Sequence, residues 1–170
     1  MDSTALRELQ APLKDKYRTD PDAAVVTLKA RGDLADGAIA CKVETGRALV
    51  EAGLHPATGG SGLEACSGDM LLEALVACAG VTLKAVATAI DFKLRGGSVS
   101  AEGDLDFRGT LGVERSVPVG FRDIRLSFTL DTDEPEDRRQ SLLKLTERYC
   151  VVLQTLRNAP PTQASLVAGG

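Results

Sequence analysis

Apolar residues fill almost every position from Met70 to Ile90, in the stretch MLLEALVACAGVTLKAVATAI. A run of this kind predicts one long helix, and it is about as long as a membrane crossing. Glu73 and Lys84 lie well inside the run, however, and each charge costs about 2.5–3.5 kcal/mol near the centre of a bilayer. We therefore expect no membrane partner and interpret the run as a helix that protein surrounds on all sides.

Such a helix needs more covering surface than a small chain offers. A helix of about 20 residues is about 30 Å long, and a chain of 170 residues forms few elements with which to cover every side of it. The pattern therefore predicts a homodimer, in which a second copy of the chain helps to bury this helix.

Regular patterns also precede the long helix. Apolar residues at helical spacing predict a short amphipathic helix that begins near Ser3, with Leu6, Leu9, Leu13 and Tyr17 on its apolar face. A β-hairpin follows, because an alternating segment leads into an Asp-Gly turn and a second alternating segment: Val26, Leu28 and Ala30, then residues 36–37, then residues 38–45. A glycine-rich loop connects this hairpin to the long helix.

Strands and helices alternate less regularly after the long helix. Two strands are predicted over residues 97–109 and 121–132, the second with one apolar face at Ile124, Leu126, Phe128 and Leu130. Two helices are predicted over residues 134–149 and from Cys150 onward, followed by an edge strand over residues 162–168. This order of elements is typical of the α+β class, in one domain over residues 1–170 with a helical extension over residues 1–20.

Composition and charge exclude several functional classes. Hydrophobic residues make up 44% of the chain and charged residues 26%, as in soluble globular proteins. The net charge is −4 and the basic residues form no block, so we expect no nucleic-acid partner. The N-terminal residues have no hydrophobic signal core, and this favours a cytoplasmic protein.

The cysteines do not form a pattern typical of metal or disulfide sites. Four cysteines in a chain of this size make no disulfide scaffold, and none forms a C-x-x-C pair: Cys41, Cys66, Cys78 and Cys150. With His55 as the only histidine, a zinc site is not expected. The segment GSGLEA matches G-x-G-x-x-A, but no strand runs into it, so we expect no dinucleotide and no other cofactor.

Cys78 lies near the middle of the long helix. Helical spacing places it on one face with Leu71, Ala74, Leu75, Val81, Thr82 and Ala85. Small neighbours such as Ala77 and Ala79 would let another group approach closely. The helix pattern alone favours a buried cysteine that acts only as a small hydrophobic residue.

Two segments together suggest another interpretation. LLEALVACAGVTL, followed about 70 residues later by ERYCVVLQTL, resembles the OsmC/Ohr family (osmotically induced protein C and organic hydroperoxide resistance proteins). The resemblance extends from about Ala23 to the C-terminus. It implies an intertwined homodimer of α+β subunits around a long buried central helix. It also implies a thiol-dependent peroxidase that reduces organic hydroperoxides with an external thiol or dithiol reductant.

The resemblance also implies roles for individual residues. Cys78 falls on the peroxidatic cysteine of the family and Cys150 on its resolving cysteine. The arginine that holds the thiolate corresponds best to Arg31, with Arg47 as the alternative. The position of the family's glutamate falls on Gly68 or Asp69, and a carboxylate there would orient the guanidinium.

These roles make chemical sense in this chain. A thiol attacks peroxide as thiolate, which an apolar helix disfavours and a nearby guanidinium favours. Cys150 at a helix N-terminus is expected to have a lowered pKa, and an apolar pocket at Leu71 and Leu75 would favour bulky hydroperoxides. Cys66 is a rival resolving thiol only if it does not lie on one continuous helix with Cys78.

A second function of a different class remains open at this point. Because Gly68 or Asp69 stands where the family has glutamate, the chain is alternatively a non-catalytic dimer of the same fold. Such a protein would bind an apolar ligand or sense oxidation.

Overall fold

The computed structural model describes residues 3–34, 41–43, 52–63 and 65–166, with side chains for residues 8–27, 52–63 and 65–166. The helices are α1 Ser3–Thr19, α2 Ser67–Ala89, α3 Phe107–Thr110, α4 Glu136–Tyr149 and α5 Val151–Arg157. The strands are β1 Val25–Leu34, β2 Cys41–Val43, β3 Ala52–Gly53, β4 Ala65–Cys66, β5 Gly96–Asp106 and β6 Phe121–Asp131. Two short 3-10 turns cover Pro21–Ala24 and Pro56–Thr58. The α+β class is confirmed.

Four strands form one antiparallel sheet in the order β2-β1-β5-β6. The predicted hairpin is confirmed, since β1 pairs with β2 from Gly32 opposite Val43 to Leu34 opposite Cys41. Its predicted turn at residues 36–37 lies outside the described residues. The long β5 joins the hairpin to β6, so the sheet combines the first and last strands of the chain.

Residues on the two faces of the sheet alternate as the sequence pattern predicts. Buried Val99 and Ala101 of β5 pair with Phe128 and Leu126 of β6, and this apolar face packs against α2. The opposite face is polar: Thr27 donates a hydrogen bond to Asp104, and Arg125 forms an ion pair with Asp104. The core therefore lies on one side of the sheet only.

The long helix α2 begins at Ser67 and extends through the whole predicted apolar run up to Ala89. It has the length and composition of a membrane span, and 44% of its most apolar window is buried inside the protein. One face packs on the sheet and α4 through Leu72, Leu75, Val76, Ala79, Leu83 and Ala87. The other face leaves Met70, Leu71 and Val81 exposed. The expectation that protein surrounds this helix on every side is therefore not met by a single chain.

The N-terminal helix α1 is packed onto the rest of the chain. Tyr17 and Phe107 are both buried in a second, smaller core, together with Ala24 and Leu111. The hydroxyl of Tyr17 donates a hydrogen bond of 2.8 Å to the carbonyl of Ala57. The helical extension predicted for residues 1–20 thus holds the loop that leads toward α2.

The end of the chain differs from the prediction. Cys150 is the N-cap of α5, as expected, but residues 162–166 form no strand in the described part of the chain. Pro160 and Pro161 precede this segment, and proline fixes φ and lacks the N–H that a strand ladder needs. The predicted edge strand over residues 162–168 is therefore wrong as far as the structure describes it.

Candidate functional site

Cys78 and Cys150, which are 72 residues apart in the sequence, lie in the same packed cluster, and each thiol acts on the pKa of the other. Cys78 comes from the middle of α2, and Cys150 lies at the break between α4 and α5. The extended backbone of Cys150 (φ −72°, ψ 105°) ends one helix and caps the next. Its amide still donates to the carbonyl of Thr146 at 2.9 Å, so the break is well anchored.

Neutral groups lower the pKa of the Cys78 thiol. Burial alone raises this pKa, but hydrogen bonds from four groups together outweigh burial: the Val152 amide, the Cys150 thiol, the Thr82 hydroxyl and the Val151 amide. Each of these donors favours the thiolate, because a hydrogen bond to the charged form stabilises it. The groups that act most strongly on Cys78 in the described part of the chain therefore carry no charge.

Burial raises the pKa of the Cys150 thiol. Its side chain is 0% exposed. A hydrogen bond from the Leu153 amide opposes the effect of burial, whereas the neighbouring Cys78 reinforces it. The expectation that the helix terminus would lower this pKa is therefore wrong, because desolvation dominates and the neighbouring Cys78 adds to it. Of the two thiols, Cys78 is thus the one that loses its proton more readily.

The surface around Cys78 is apolar and partly open. Cys78 itself is half-buried, and Leu71, Ala74 and Val81 of the same helical face are exposed. Leu75, predicted on this face, is instead fully buried against the sheet. The predicted pocket wall therefore includes Leu71 but not Leu75. Val151 beside Cys150 adds a further exposed apolar side chain.

The structure describes the backbone of Arg31 but not its side chain. Arg31 pairs with Ser100, which in turn pairs with Ser127. These positions alternate with Val99 and Ala101, which pack toward α2. Position 31 thus belongs to the sheet face directed away from α2 in the same chain. Arg47 lies outside the described residues, and the contact of either arginine with Cys78 stays a prediction.

Asp69 lies in the first turn of α2. Burial raises the pKa of its carboxyl, and the charge of nearby His55 opposes this. Nine residues of helix, at about 1.5 Å each, place its Cα about 13 Å from that of Cys78. Within one chain, the structure does not bring Asp69 or the preceding Gly68 to the thiol pair, and a catalytic role for Asp69 stays a prediction.

The other cysteines and the histidine have structural surroundings. Cys66 is a free, half-buried thiol at the N-cap of α2, and the continuous helix keeps it far from Cys78. The side chain of Cys41 lies outside the described part of the chain. His55 is half-buried and stacks on Phe107 with ring centroids 4.9 Å apart. Its Nδ1 accepts a hydrogen bond from the Ala57 amide.

Two kinds of group that lower the pKa of Cys78 were not predicted. Thr82 was expected on the same helical face, and its spacing of four residues from Cys78 was a usable signal for a role of its hydroxyl. The amides of Val151 and Val152 had no such signal, because backbone donors leave no trace in side-chain patterns. Among the described residues, no group of three or more His, Cys, Asp or Glu side chains could hold a metal ion.

Comparisons with known proteins give one family and one fold. A family model described as OsmC-like protein matches residues 60–165 of this chain. The crystal structure of an OsmC-like hydroperoxide resistance protein from Jannaschia sp. CCS1 has a TM-score of 0.62 at 17% sequence identity. The superposition covers 86% of this chain and 95% of that chain, and at this identity it establishes a common fold. A comparison with curated proteins gave no match.

Proposed function

Because the chain belongs to the OsmC-like protein family, we propose that it is a thiol-dependent peroxidase that reduces organic hydroperoxides. The observation that carries this proposal is the proximity of Cys78 to Cys150, with the pKa of the Cys78 thiol lowered and that of the Cys150 thiol raised. A reactive thiolate beside a second, protonated thiol is what a two-cysteine peroxidase needs. The solved structure with the same fold is named a hydroperoxide resistance protein, which supports the same activity.

In the proposed reaction, the thiolate of Cys78 attacks the terminal oxygen of a hydroperoxide. The S–O bond forms as the O–O bond breaks, and the departing alkoxide takes up a proton to become an alcohol. Cys78 is then a sulfenic acid. Cys150 loses its proton and attacks this sulfur, so that a disulfide forms and water leaves. An external thiol or dithiol, as found in a reducing cytoplasm, restores both thiols, and no other cofactor is needed.

The test of this proposal is chemical mapping of the thiols. One equivalent of cumene hydroperoxide is expected to convert Cys78 and Cys150 into a disulfide and to leave Cys66 reduced, because only the first two are in contact. Mass spectrometry of peptides after alkylation measures this directly. Oxidation spread evenly over all the cysteines would contradict the proposal, because it would indicate exposure rather than a specific site.

We also propose that the protein works as a homodimer. The exposed apolar residues Met70, Leu71 and Val81 on α2 form a surface that a second copy would cover. We expect a dimeric mass by light scattering, and we expect Val81→Glu to shift it toward a monomer. Thr88→Glu, at an exposed polar position of the same helix, is the matched control. If the parent protein has a monomeric mass while its circular dichroism spectrum is that of the folded protein, the proposed homodimer is contradicted.

Arg31 and Asp69 keep their proposed roles as the cation near the thiolate and the carboxylate that orients it. Arg31→Gln is expected to slow hydroperoxide consumption about tenfold, the loss that one hydrogen bond to an ionised group produces. An unchanged rate of hydroperoxide consumption in Arg31→Gln would contradict this role, because the neutral groups around Cys78 would then be enough to stabilise its thiolate.

A cleft that combines apolar side chains with charged ones such as Arg139 and Arg157 favours the second candidate function, the binding of a ligand with an apolar part without catalysis. The cleft has a volume of about 660 Å³, within the range of small-molecule sites. It lies between the apolar face of β6 and helices α4 and α5, and its walls include Phe121, Ile124, Leu126, Phe128, Leu142, Leu153 and Leu156. Steady turnover of hydroperoxide with a dithiol would support the peroxidase. Tight binding of a fatty acid without turnover would support the ligand-binding protein.

A further inference from the structure

We propose that Gln154 is a positioning residue for the two thiols, because its side chain ties α5 back to α4 across the break that carries Cys150. This inference deepens the proposed peroxidase function and rests on it for its consequence in turnover. The effect of Gln154 on the thiols does not depend on the oxidant, so it can be measured without any hydroperoxide.

The break between the two helices is one residue wide. α4 ends at Tyr149 and α5 begins at Val151, and the backbone of Cys150 between them is extended, with ψ of 105°. Its amide donates to the carbonyl of Thr146 at 2.9 Å, and its carbonyl accepts from the amide of Gln154 at 2.9 Å. Cys150 thus belongs to both helices, and a change in its φ or ψ would alter the angle between them.

The side chain of Gln154 bridges this break. Its Nε2 donates a hydrogen bond of 2.7 Å to the carbonyl of Glu147, seven residues earlier in the last turn of α4. The end of a helix leaves such carbonyls without an amide partner from the same helix, and Gln154 supplies the donor here. Its Oε1 accepts a hydrogen bond of 3.3 Å from Asn158 Nδ2, which orients the amide group. A side chain therefore restrains the angle between α4 and α5.

Arg157 makes a second link across the break, but a weaker one. Its guanidinium forms an ion pair of 2.8 Å with the carboxylate of Glu147, and the two side chains are 50% and 37% exposed. Exposed ion pairs contribute little, because solvent screens them and two flexible side chains must be ordered. The hydrogen bond of Gln154 is partly buried and ends on the backbone, so it restrains the helix itself.

The restraint matters because disulfide geometry is strict. The two Cα atoms must lie about 4.4–6.8 Å apart, with the Cβ atoms directed toward each other. Leu142 of α4 and Leu153 of α5 belong to the same buried cluster as Cys150, and Cys78 packs against that cluster. A small turn of the backbone at Cys150 therefore changes how often its sulfur meets Cys78. Restricting that turn before the bond forms raises the effective concentration of one thiol at the other.

The experiment measures the stability of the Cys78–Cys150 disulfide in buffers of reduced and oxidised dithiothreitol. In this exchange the two protein thiols give two electrons and two protons to the cyclic disulfide of oxidised dithiothreitol, which becomes a dithiol. Gln154→Leu is expected to lower the equilibrium constant for the protein disulfide about tenfold, since one hydrogen bond is lost and a carbonyl is left unpaired. Gln154→Lys keeps a donor of similar reach and should retain the parental constant. Peptide mass spectrometry after alkylation measures the constants.

The matched control is Gln140→Leu. It removes a hydrogen bond of the same length, 2.7 Å, from the Nε2 of Gln140 to the carboxylate of Glu136 within α4, and this bond crosses no break. Gln140→Leu should keep the disulfide equilibrium of the parent protein. Thermal unfolding of the reduced and oxidised forms reports general stability, and a loss that both forms share leaves the disulfide equilibrium unchanged.

In the proposed reaction, Gln154→Leu should spare the attack on hydroperoxide and slow the resolution. We expect it to consume the first equivalent of cumene hydroperoxide at the parental rate, because Cys78 lies on α2 and not at the break. A dione probe present during the reaction should then capture more sulfenic acid on Cys78 than in the parent protein, since Cys150 reaches that sulfur less often.

A parental disulfide equilibrium in Gln154→Leu would overturn the inference. An equal shift in Gln140→Leu, or a shift in Gln154→Lys as large as in Gln154→Leu, would overturn it too. If the parent protein forms no Cys78–Cys150 disulfide in these buffers, both the inference and the peroxidase proposal fail. If it forms the disulfide but consumes no hydroperoxide, and Gln154→Leu still shifts the equilibrium, the peroxidase proposal fails and the positioning role stands.

Discussion

Cys78→Ser is expected to reduce hydroperoxide consumption to the uncatalysed background. The structure favours the thiolate at Cys78 through hydrogen bonds from neutral donors. A serine hydroxyl in the same place stays protonated, because its pKa lies far above that of a thiol, and a neutral hydroxyl does not attack peroxide oxygen at a useful rate. The loss should affect the very first turnover, and a colorimetric assay of residual cumene hydroperoxide measures it.

The matched control for this experiment is Cys66→Ser. Cys66 is also free and half-buried, but it lies at the N-cap of α2, away from the pair. The Cys66→Ser variant should consume hydroperoxide at the rate of the parent protein. If Cys78→Ser retained the parental rate, the enzymatic proposal would be wrong, and Cys78 would be the packing residue that its helix pattern first favoured.

Cys150→Ser is expected to stop the protein after one turnover. Cys150 is in contact with Cys78 and is the thiol placed to attack its sulfenic acid. With serine there, the hydroxyl still donates a hydrogen bond to the thiolate, so the first attack proceeds, but no disulfide can form. We expect one equivalent of hydroperoxide to be consumed in the absence of reductant and a sulfenic acid to accumulate on Cys78. A dione probe specific for sulfenic acids, followed by peptide mass spectrometry, detects it.

Serine rather than alanine is the informative substitution at this position. Cys150→Ala would remove the hydrogen-bond donor and the resolving thiol together, whereas serine removes only the second. Steady turnover by Cys150→Ser at the parental rate, with a monothiol supplied, would mean that the external thiol resolves Cys78 directly. Cys150 would then serve as a donor alone.

Much of the fold followed from the periodicity of apolar residues. The strand with Ile124, Leu126, Phe128 and Leu130 on one face and the long helix around Cys78 both appear where alternation and apolar content predict them. The α5 helix opens at Cys150 as expected. These elements are governed by local sequence, so one chain's pattern is enough to find them.

The details that failed depend on neighbours that a linear pattern does not reveal. Helical spacing placed Leu75 with Cys78, but the sheet covers the edge of that face and buries Leu75 completely. A helix terminus should lower the pKa of Cys150, yet complete burial raises it and the neighbouring Cys78 adds to this effect. The pairing of Cys78 with Cys150 came from the resemblance to a family, since contacts between residues 72 apart follow from the fold and not from spacing.

The break between α4 and α5 has a consequence for the speed of the cycle. Gln154 and Arg157 of α5 both bond to Glu147 of α4, so the two helices are clamped on either side of Cys150. In the proposed reaction, the sulfur of Cys150 would approach that of Cys78 from a helix cap rather than from within a helical turn. Formation of the disulfide would then need no unwinding of a helix, a motion of the microsecond-to-second range. The proposed cycle would therefore contain no step that waits for a helix to open.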